Sequence, residues 1–235
     1  MFNKFIISLT ALILILGGSS VLAQEETTIL NKDSQAQDLK VGEPTILPDN
    51  PLYFLKEWGR NIQIFFAFNP IAKIQLREKF ANEKLIELRK TVEQEKSQER
   101  IEKAIGNYQN EIKEVKRAVE KIKESAEENR TIGNFLDKFI QHQILHQEIL
   151  QKLEEQVPPE VFEKIKETRE MHLEKFEEVM NKLQENKEQL QERLEKNLQA
   201  IPGNEFKEEE FIQIRDRILE KVQEKAQERK EQEQK

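Results

Sequence analysis

The chain has 235 residues and a formal net charge of −7, which argues against DNA or RNA as a partner because phosphate recognition needs a basic surface. It has no cysteine, so neither disulfide bonds nor thiolate ligands stabilise it. Apolar residues make up 37% and charged residues 35%, a balance typical of long helices with a narrow apolar stripe and a broad polar surface.

Residues 1–23 are typical of a secretory signal peptide. Lys4 provides a short basic region, residues 5–16 are apolar, and Val21-Leu22-Ala23 offers small residues at the cleavage positions. We predict cleavage after Ala23 and a secreted or extracytoplasmic location. The alternative is retention of this segment as a membrane anchor. Residues 24–50 are polar and aperiodic, so they are predicted to form a flexible tether.

The first predicted helix covers about 51–68 and begins at Pro51, where a missing N–H costs nothing. Its apolar residues recur at helical spacing: Leu55, Trp58, Ile62, Phe65 and Phe66. We favour packing of these residues on the next two helices over insertion into a membrane interface, because Glu57 and Asn61 weaken the interfacial pattern.

Two helices follow, over about 70–95 and 101–126, with apolar residues alternating by three and four. Asn69 is the predicted cap of the first of these, and Glu78 interrupts its stripe. A turn over 129–134 then precedes a helix over about 134–156.

Val157-Pro158-Pro159 breaks the chain, and one continuous helix is predicted from 159 to 200. A shorter helix and a frayed, polar C-terminus complete the chain. The fold class is therefore all-α, an antiparallel helical bundle or coiled-coil hairpins of long helices. We assign a bundle domain to 51–185 and a helical coiled-coil extension to 186–235.

All three histidines lie in one predicted hairpin. His142 and His146 share the apolar stripe of the helix over 134–156, and His172 lies on the stripe of the next helix. If the turn is centred between residues 157 and 158, residues that face each other sum to about 315. His172 is then opposite Gln143, and Arg169 is opposite His146.

Three interpretations of this cluster compete. The first is a polar layer with Arg169 inside a helical core, which fixes the register of the hairpin. The second is a Zn²⁺ or Cu²⁺ site formed by His142, His146 and His172. The third is a pH switch. We favour the polar layer, because the Arg169 cation disfavours a metal dication and a fourth ligand is missing.

The segment around the first helix resembles a known family. LPDNPLYFLK at 47–56, IFFAFNP at 64–70 and LREKFA at 76–81 are similar to the entry region of the prokaryotic domain of unknown function numbered 5667. His146-Gln-Glu-Ile-Leu150, Val157-Pro158 and His172 match its later helices. The resemblance covers about 46–185 and implies an all-helical fold and an extracytoplasmic location. It implies no activity.

These observations favour a non-enzymatic interaction or structural module of the cell envelope or exterior, with an unidentified protein partner. We identify no nucleophile or acid–base set, so no catalytic residue and no cofactor is assigned. Apolar heptads late in the chain allow a homodimer. The alternative is a metal- or pH-responsive sensor that uses His142, His146 and His172.

Overall fold

The computed structural model describes residues 35–94, 96–122, 129–183, 187–199, 212–213, 215–217 and 220. The predicted signal peptide, the first part of the predicted tether and most of the predicted last helix lie outside this part of the chain. The described helices are α1 Tyr53–Phe66, α2 Pro70–Glu93, α3 Gln98–Val119, α4 Arg130–Glu154, α5 Pro159–Leu183 and α6 Lys187–Gln199. None of them combines the length and apolar character needed to cross a bilayer.

Helices α2, α3, α5 and α4 form a four-helix bundle in that order around the core. Short connections make α2 antiparallel to α3, and α4 antiparallel to α5. The interior is filled by the predicted apolar stripes, which converge on one core and confirm the all-α helical bundle. The fold therefore places the centres of α3 and α4 diagonally opposite each other.

Asparagine side chains set the starts of two helices. Asn69 Oδ1 accepts from the backbone N–H groups of Ile71 (2.8 Å) and Ala72 (3.2 Å), with Pro70 at the first helical position. Asn129 Oδ1 accepts from the N–H of Thr131 at 2.9 Å. The predicted cap of α2 is confirmed. The turn predicted over 129–134 is wrong, because Asn129 caps α4 and the helix begins at once.

The single helix predicted over 159–200 is also wrong. Arg193 contacts Asp137 (2.6 Å) and Asn197 contacts Gln141 (3.0 Å), so α6 runs parallel to α4, whereas α5 runs antiparallel to it. α6 is therefore antiparallel to α5, and one continuous helix cannot contain both. The sequence of residues 184–189 contains no apolar side chain that could hold a continuous helix on the bundle, and α6 buries Leu194 completely.

Residues 35–50 correct the prediction of a flexible tether for the part of that segment the structure describes. Ala36, Leu39, Val41 and Leu47 are all buried. The Leu39 carbonyl also accepts a hydrogen bond from the Asn82 amide at 3.1 Å. The apolar residues of this segment are too widely spaced to show a period, yet they cover the bundle through a helical turn at 35–38 and the irregular segment that follows it.

Candidate functional site

A fully buried histidine lies at the centre of the bundle. His146 Nδ1 is 2.9 Å from the Tyr108 hydroxyl, and its Nε2 is 2.7 Å from Asn82 Oδ1. The amide oxygen can only accept, so Nε2–H donates to Asn82 and Nδ1 accepts from Tyr108. His146 is thus a neutral ring whose two nitrogens join α2, α3 and α4.

His172 on α5 extends this arrangement. Its Nε2 is 2.5 Å from Gln143 Oε1, and its Nδ1 is 2.5 Å from Gln147 Nε2. The amide N–H of Gln147 donates to Nδ1, and Nε2–H donates to Gln143. The ring centroid lies 5.1 Å from that of His146. The predicted pairing of His172 with position 143 is therefore confirmed.

His142 faces a carboxylate. Its Nδ1 is 2.7 Å from Glu78 Oε1 and 3.1 Å from Asn82 Nδ2. One proton on Nδ1 serves the carboxylate, which can only accept, and the Asn82 amide then donates to the Leu39 carbonyl. Glu78, which interrupts the apolar stripe of α2, is thus the buried partner of a histidine.

We refer to these eight residues as the polar layer: Glu78, Asn82, Tyr108, His142, Gln143, His146, Gln147 and His172. The sequence reasoning assigned a role to the three histidines alone. The other five residues could have been found as polar residues on an otherwise apolar helix face. Glu78 and Asn82, for example, are four residues apart and therefore lie on the same face of α2. Each such residue needs a hydrogen-bond partner when buried.

Burial determines the protonation states of His146, His172 and Tyr108 in the polar layer. It lowers the pKa of His172 to about 3. Burial, with smaller contributions from His172 and His142, also holds the pKa of His146 well below its usual value. Burial raises the pKa of the Tyr108 hydroxyl. His146 and His172 are consequently neutral at physiological pH.

Arg169 does not join the polar layer as predicted. Its guanidinium Nε lies 2.9 Å from Glu154 and Nη1 lies 3.3 Å from Gln151, towards the α4–α5 turn. The long side chain follows the helix surface to a carboxylate rather than entering the core. Only its backbone carbonyl touches the layer, as an acceptor for Gln147 at 3.3 Å.

The geometry bears directly on metal binding. Both ring nitrogens of His146 and of His172 are engaged in hydrogen bonds, so a metal would have to displace Tyr108, Asn82 or the two glutamines. Within the described ranges, no group of three or more His, Cys, Asp or Glu side chains is arranged around a common point for a metal. The arrangement is that of a satisfied buried network.

The second notable feature is on the surface, and it corrects the prediction for the first helix. The apolar residues along α1 do not pack on the bundle but are 37–87% exposed. We call them the aromatic face: Leu52, Phe54, Leu55, Trp58, Ile62, Phe65, Phe66 and Phe68. Phe68, in the turn before α2, is the most exposed of them.

The opposite side of α1 binds the bundle through charges. Arg60, only 5% exposed, lies 2.7 Å from both Glu83 and Glu87 of α2. Lys84 of α2 contacts Glu57 of α1 at 3.2 Å. The Tyr53 hydroxyl donates to Glu87 at 2.6 Å. These buried ion pairs hold the polar side of α1 inward, and the aromatic face consequently points to solvent.

The electrostatics of this interface keep Arg60 and Glu57 ionised. Burial by itself would lower the pKa of Arg60, but Glu87 and Glu83 outweigh it and raise the pKa. Burial would raise the pKa of Glu57, but Lys84 and Arg60 outweigh it and lower the pKa. Turning α1 over would separate Arg60 from Glu83 and Glu87 and would separate Glu57 from Lys84.

The fold and these two features define an all-helical bundle with a buried polar layer and an outward aromatic helix. The family model described as "Domain of unknown function (DUF5667)" matches residues 45–160, from the segment before α1 to the start of α5. This match confirms the family resemblance of the sequence. Searches of curated proteins and of solved structures gave no match.

Proposed function

We propose that this protein is a non-enzymatic interaction module of the cell envelope or exterior that binds its partner through the aromatic face of α1. The observation that carries the proposal is the exposure of this face. Its five aromatic side chains alone present roughly 700 Å² of apolar surface, taking typical aromatic areas. The largest apolar patch of an ordinary monomer is about 300–600 Å² and is itself often functional.

The cost of the arrangement supports the same proposal. Exposing five aromatic residues forgoes the hydrophobic stabilisation that packing them would supply. The inner side of α1 instead contains Arg60 and Tyr53, whose partners on α2 are themselves buried charges. Such a surface is consistent with a partner that covers it.

The proposed location rests on residues 1–23, whose basic, apolar and small-residue regions are typical of an export signal. The proposed non-enzymatic character rests on the polar layer. His146 and His172 are enclosed and fully hydrogen-bonded, so we assign them to register and stability rather than to reaction with a substrate.

The same hydrogen bonds weigh against the alternative, a metal- or pH-responsive sensor using His142, His146 and His172. A calorimetric Zn²⁺ titration of the parent protein and of His172→Ala at neutral pH separates the two. Equal, weak heats in both proteins agree with a structural layer. Tight stoichiometric binding that the variant loses would support the sensor instead.

Site-specific photo-crosslinking in the producing cells tests the interaction surface. A photoreactive amino acid replaces Phe65 on the aromatic face or, as a control, Phe162 of α5, which is also exposed. We expect adducts from position 65 that position 162 does not form. An equal absence of adducts at both positions, with protein and with lipid alike, would refute the proposal.

A further inference from the structure

The exposed side of α1 and its flanking turns has no charged residue. Residues 51–70 contain three charges, Lys56, Glu57 and Arg60, and each is paired with a charge on the bundle side. The exposed polar groups of this stretch are amides, such as Asn61 and Gln63. A face of this composition can enter an apolar medium without moving an ion out of water.

Cations flank this face. A cavity of about 970 Å³ along α1 is lined by Leu55 and Trp58 on one side and by Lys103 of α3 on the other. A second cavity, beside Ile64 further along α1, is lined by Lys73 and Lys121. We call Lys73, Lys103 and Lys121 the rim lysines.

In the part of the chain that the structure describes, the charges without an ion-pair partner along these two cavities are those of the rim lysines. Within the described ranges, the rim lysines make no ion pair. The acids that line the same two cavities are already neutralised: Asp49 pairs with Lys96 and Arg100, Glu57 with Lys84 and Arg60, Glu114 with Arg77 and Arg117, and Glu120 with Lys116. Among the described residues that line these two cavities, the charges without an ion-pair partner are therefore positive, although the whole chain is acidic.

We infer that the aromatic face of α1 lies in the interface of an anionic phospholipid bilayer, with the rim lysines at the level of the headgroups. The inference rests on the proposed function, since it names the partner of the same surface. Aromatic and aliphatic side chains on one side of a helix with flanking lysines are what an interfacial helix uses. Glu57 weakens the sequence pattern of an interfacial helix. In the structure, however, its carboxylate pairs with Lys84 on the bundle side, and the exposed side of α1 is uncharged.

Two further observations favour lipid over a second copy of the chain. A two-fold dimer across α1 would bring two sets of rim lysines to one seam without acids to accept them. In addition, the apolar segment at residues 5–16 lies upstream in the same chain. If residues 5–23 are retained as a membrane anchor, residues 24–34 can extend by at most about 40 Å, which keeps the bundle near the bilayer.

Trp58 provides a local readout because it is the only tryptophan of the chain and lies in the aromatic face. The full chain is mixed with vesicles of phosphatidylcholine alone or with added phosphatidylglycerol, and the Trp58 emission is recorded. Bromine-labelled acyl chains report contact with the hydrocarbon. The Trp58 fluorescence reports on α1 itself, whether or not residues 5–16 enter the bilayer.

We expect the emission to shift to shorter wavelength, and the bromine label to quench it, with the anionic vesicles at low salt. Replacing the three rim lysines by glutamine should weaken this response roughly a hundredfold, because each lysine near an anionic surface contributes to binding. A control with the same change of net charge replaces exposed lysines away from α1: Lys40, Lys138 and Lys166. It should bind like the parent.

Several results would overturn the inference. They are an unchanged Trp58 emission with both vesicles, an equal response to neutral and anionic vesicles, and a shift without vesicles that grows with protein concentration. The last would assign the face to a second copy. Protein adducts at position 65 without vesicle binding would refute lipid as the partner and leave the interaction module standing. An absence of adducts and of vesicle binding would refute both.

Discussion

Acidification should destabilise the bundle, because the polar layer holds His146 and His172 neutral. In the unfolded chain each imidazole has a pKa near 6.5, whereas burial lowers the folded pKa of His172 to about 3 and that of His146 well below 6.5. Between these pKa values the unfolded state binds more protons than the folded state. The contribution of the two neutral histidines to the free energy of unfolding is therefore fully present above about pH 6.5 and is lost as the pH falls towards the folded pKa.

The size of this loss in the free energy of unfolding follows from the difference between the unfolded and folded pKa values. Each pH unit within this window removes about 1.4 kcal/mol per histidine. Between pH 7.5 and pH 5.0 the loss is about 2 kcal/mol for His172, and the lowered pKa of His146 adds a loss in the same direction. The lower limit of pH 5.0 keeps most carboxylates ionised, so that their titration contributes little.

Urea unfolding at the two pH values measures the effect, with His172→Gln as the matched variant. A glutamine can still donate to Gln143 and accept from Gln147, but it does not titrate. Other groups contribute equally to both proteins, so the parent should lose about 2 kcal/mol more than the variant on acidification. Equal losses in the two proteins would show that His172 is not held neutral in the core and would refute the reasoning.

Three further substitutions test the packing. Phe139→Ala should lower the free energy of unfolding by about 3–5 kcal/mol, since the ring is buried and stacks on two other aromatic rings, whereas Phe162→Ala on the surface should cost under about 1 kcal/mol. Similar costs in urea titrations would mean that the α4 stripe is misplaced. Gly106→Ala should raise the melting temperature, with a gain of about 1 kcal/mol, because an added Cβ meets no atom within 4 Å; a lower melting temperature would contradict this. Arg60→Met should lower the free energy of unfolding by about 1–3 kcal/mol, because the buried Glu87 carboxylate then keeps only Lys56 and the Tyr53 hydroxyl as partners, and Glu87→Met in the same chain should recover part of that loss; no recovery would mean that the two charges do not depend on each other.

Helical periodicity predicted the parts of the fold that depend on local pattern. The stripe of α4 and its pairing with α5 could be predicted because a tight turn between antiparallel helices fixes which residues face each other. His172 and Gln143 are the clearest case. The partners of the other histidines could not be found in this way. Glu78 and Tyr108 lie 64 and 38 residues from theirs, and their pairing depends on how the two hairpins are arranged around the core.

Two errors have the same physical origin. Residues 35–50 lack a period, yet Leu39 is buried, because a short helical turn and an irregular segment need only scattered apolar residues to cover a bundle. The helix predicted over 159–200 ends at Leu183 because the following polar run has nothing to bury. In both places the structure depends on tertiary packing, which the local sequence pattern does not predict.

The orientation of α1 shows where periodicity stops being informative. The spacing of Trp58, Ile62 and Phe65 correctly places them on one side of the helix, but an amphipathic helix can present either side to its neighbour. The choice depends on what the neighbour offers, and α2 offers Glu83, Lys84 and Glu87 rather than an apolar groove. Packing the aromatic side on α2 would separate Arg60 from Glu83 and Glu87 and would separate Glu57 from Lys84, whereas the observed orientation keeps these ion pairs. The charge pattern of α2, read together with that of α1, is therefore the sequence signal for an outward aromatic face.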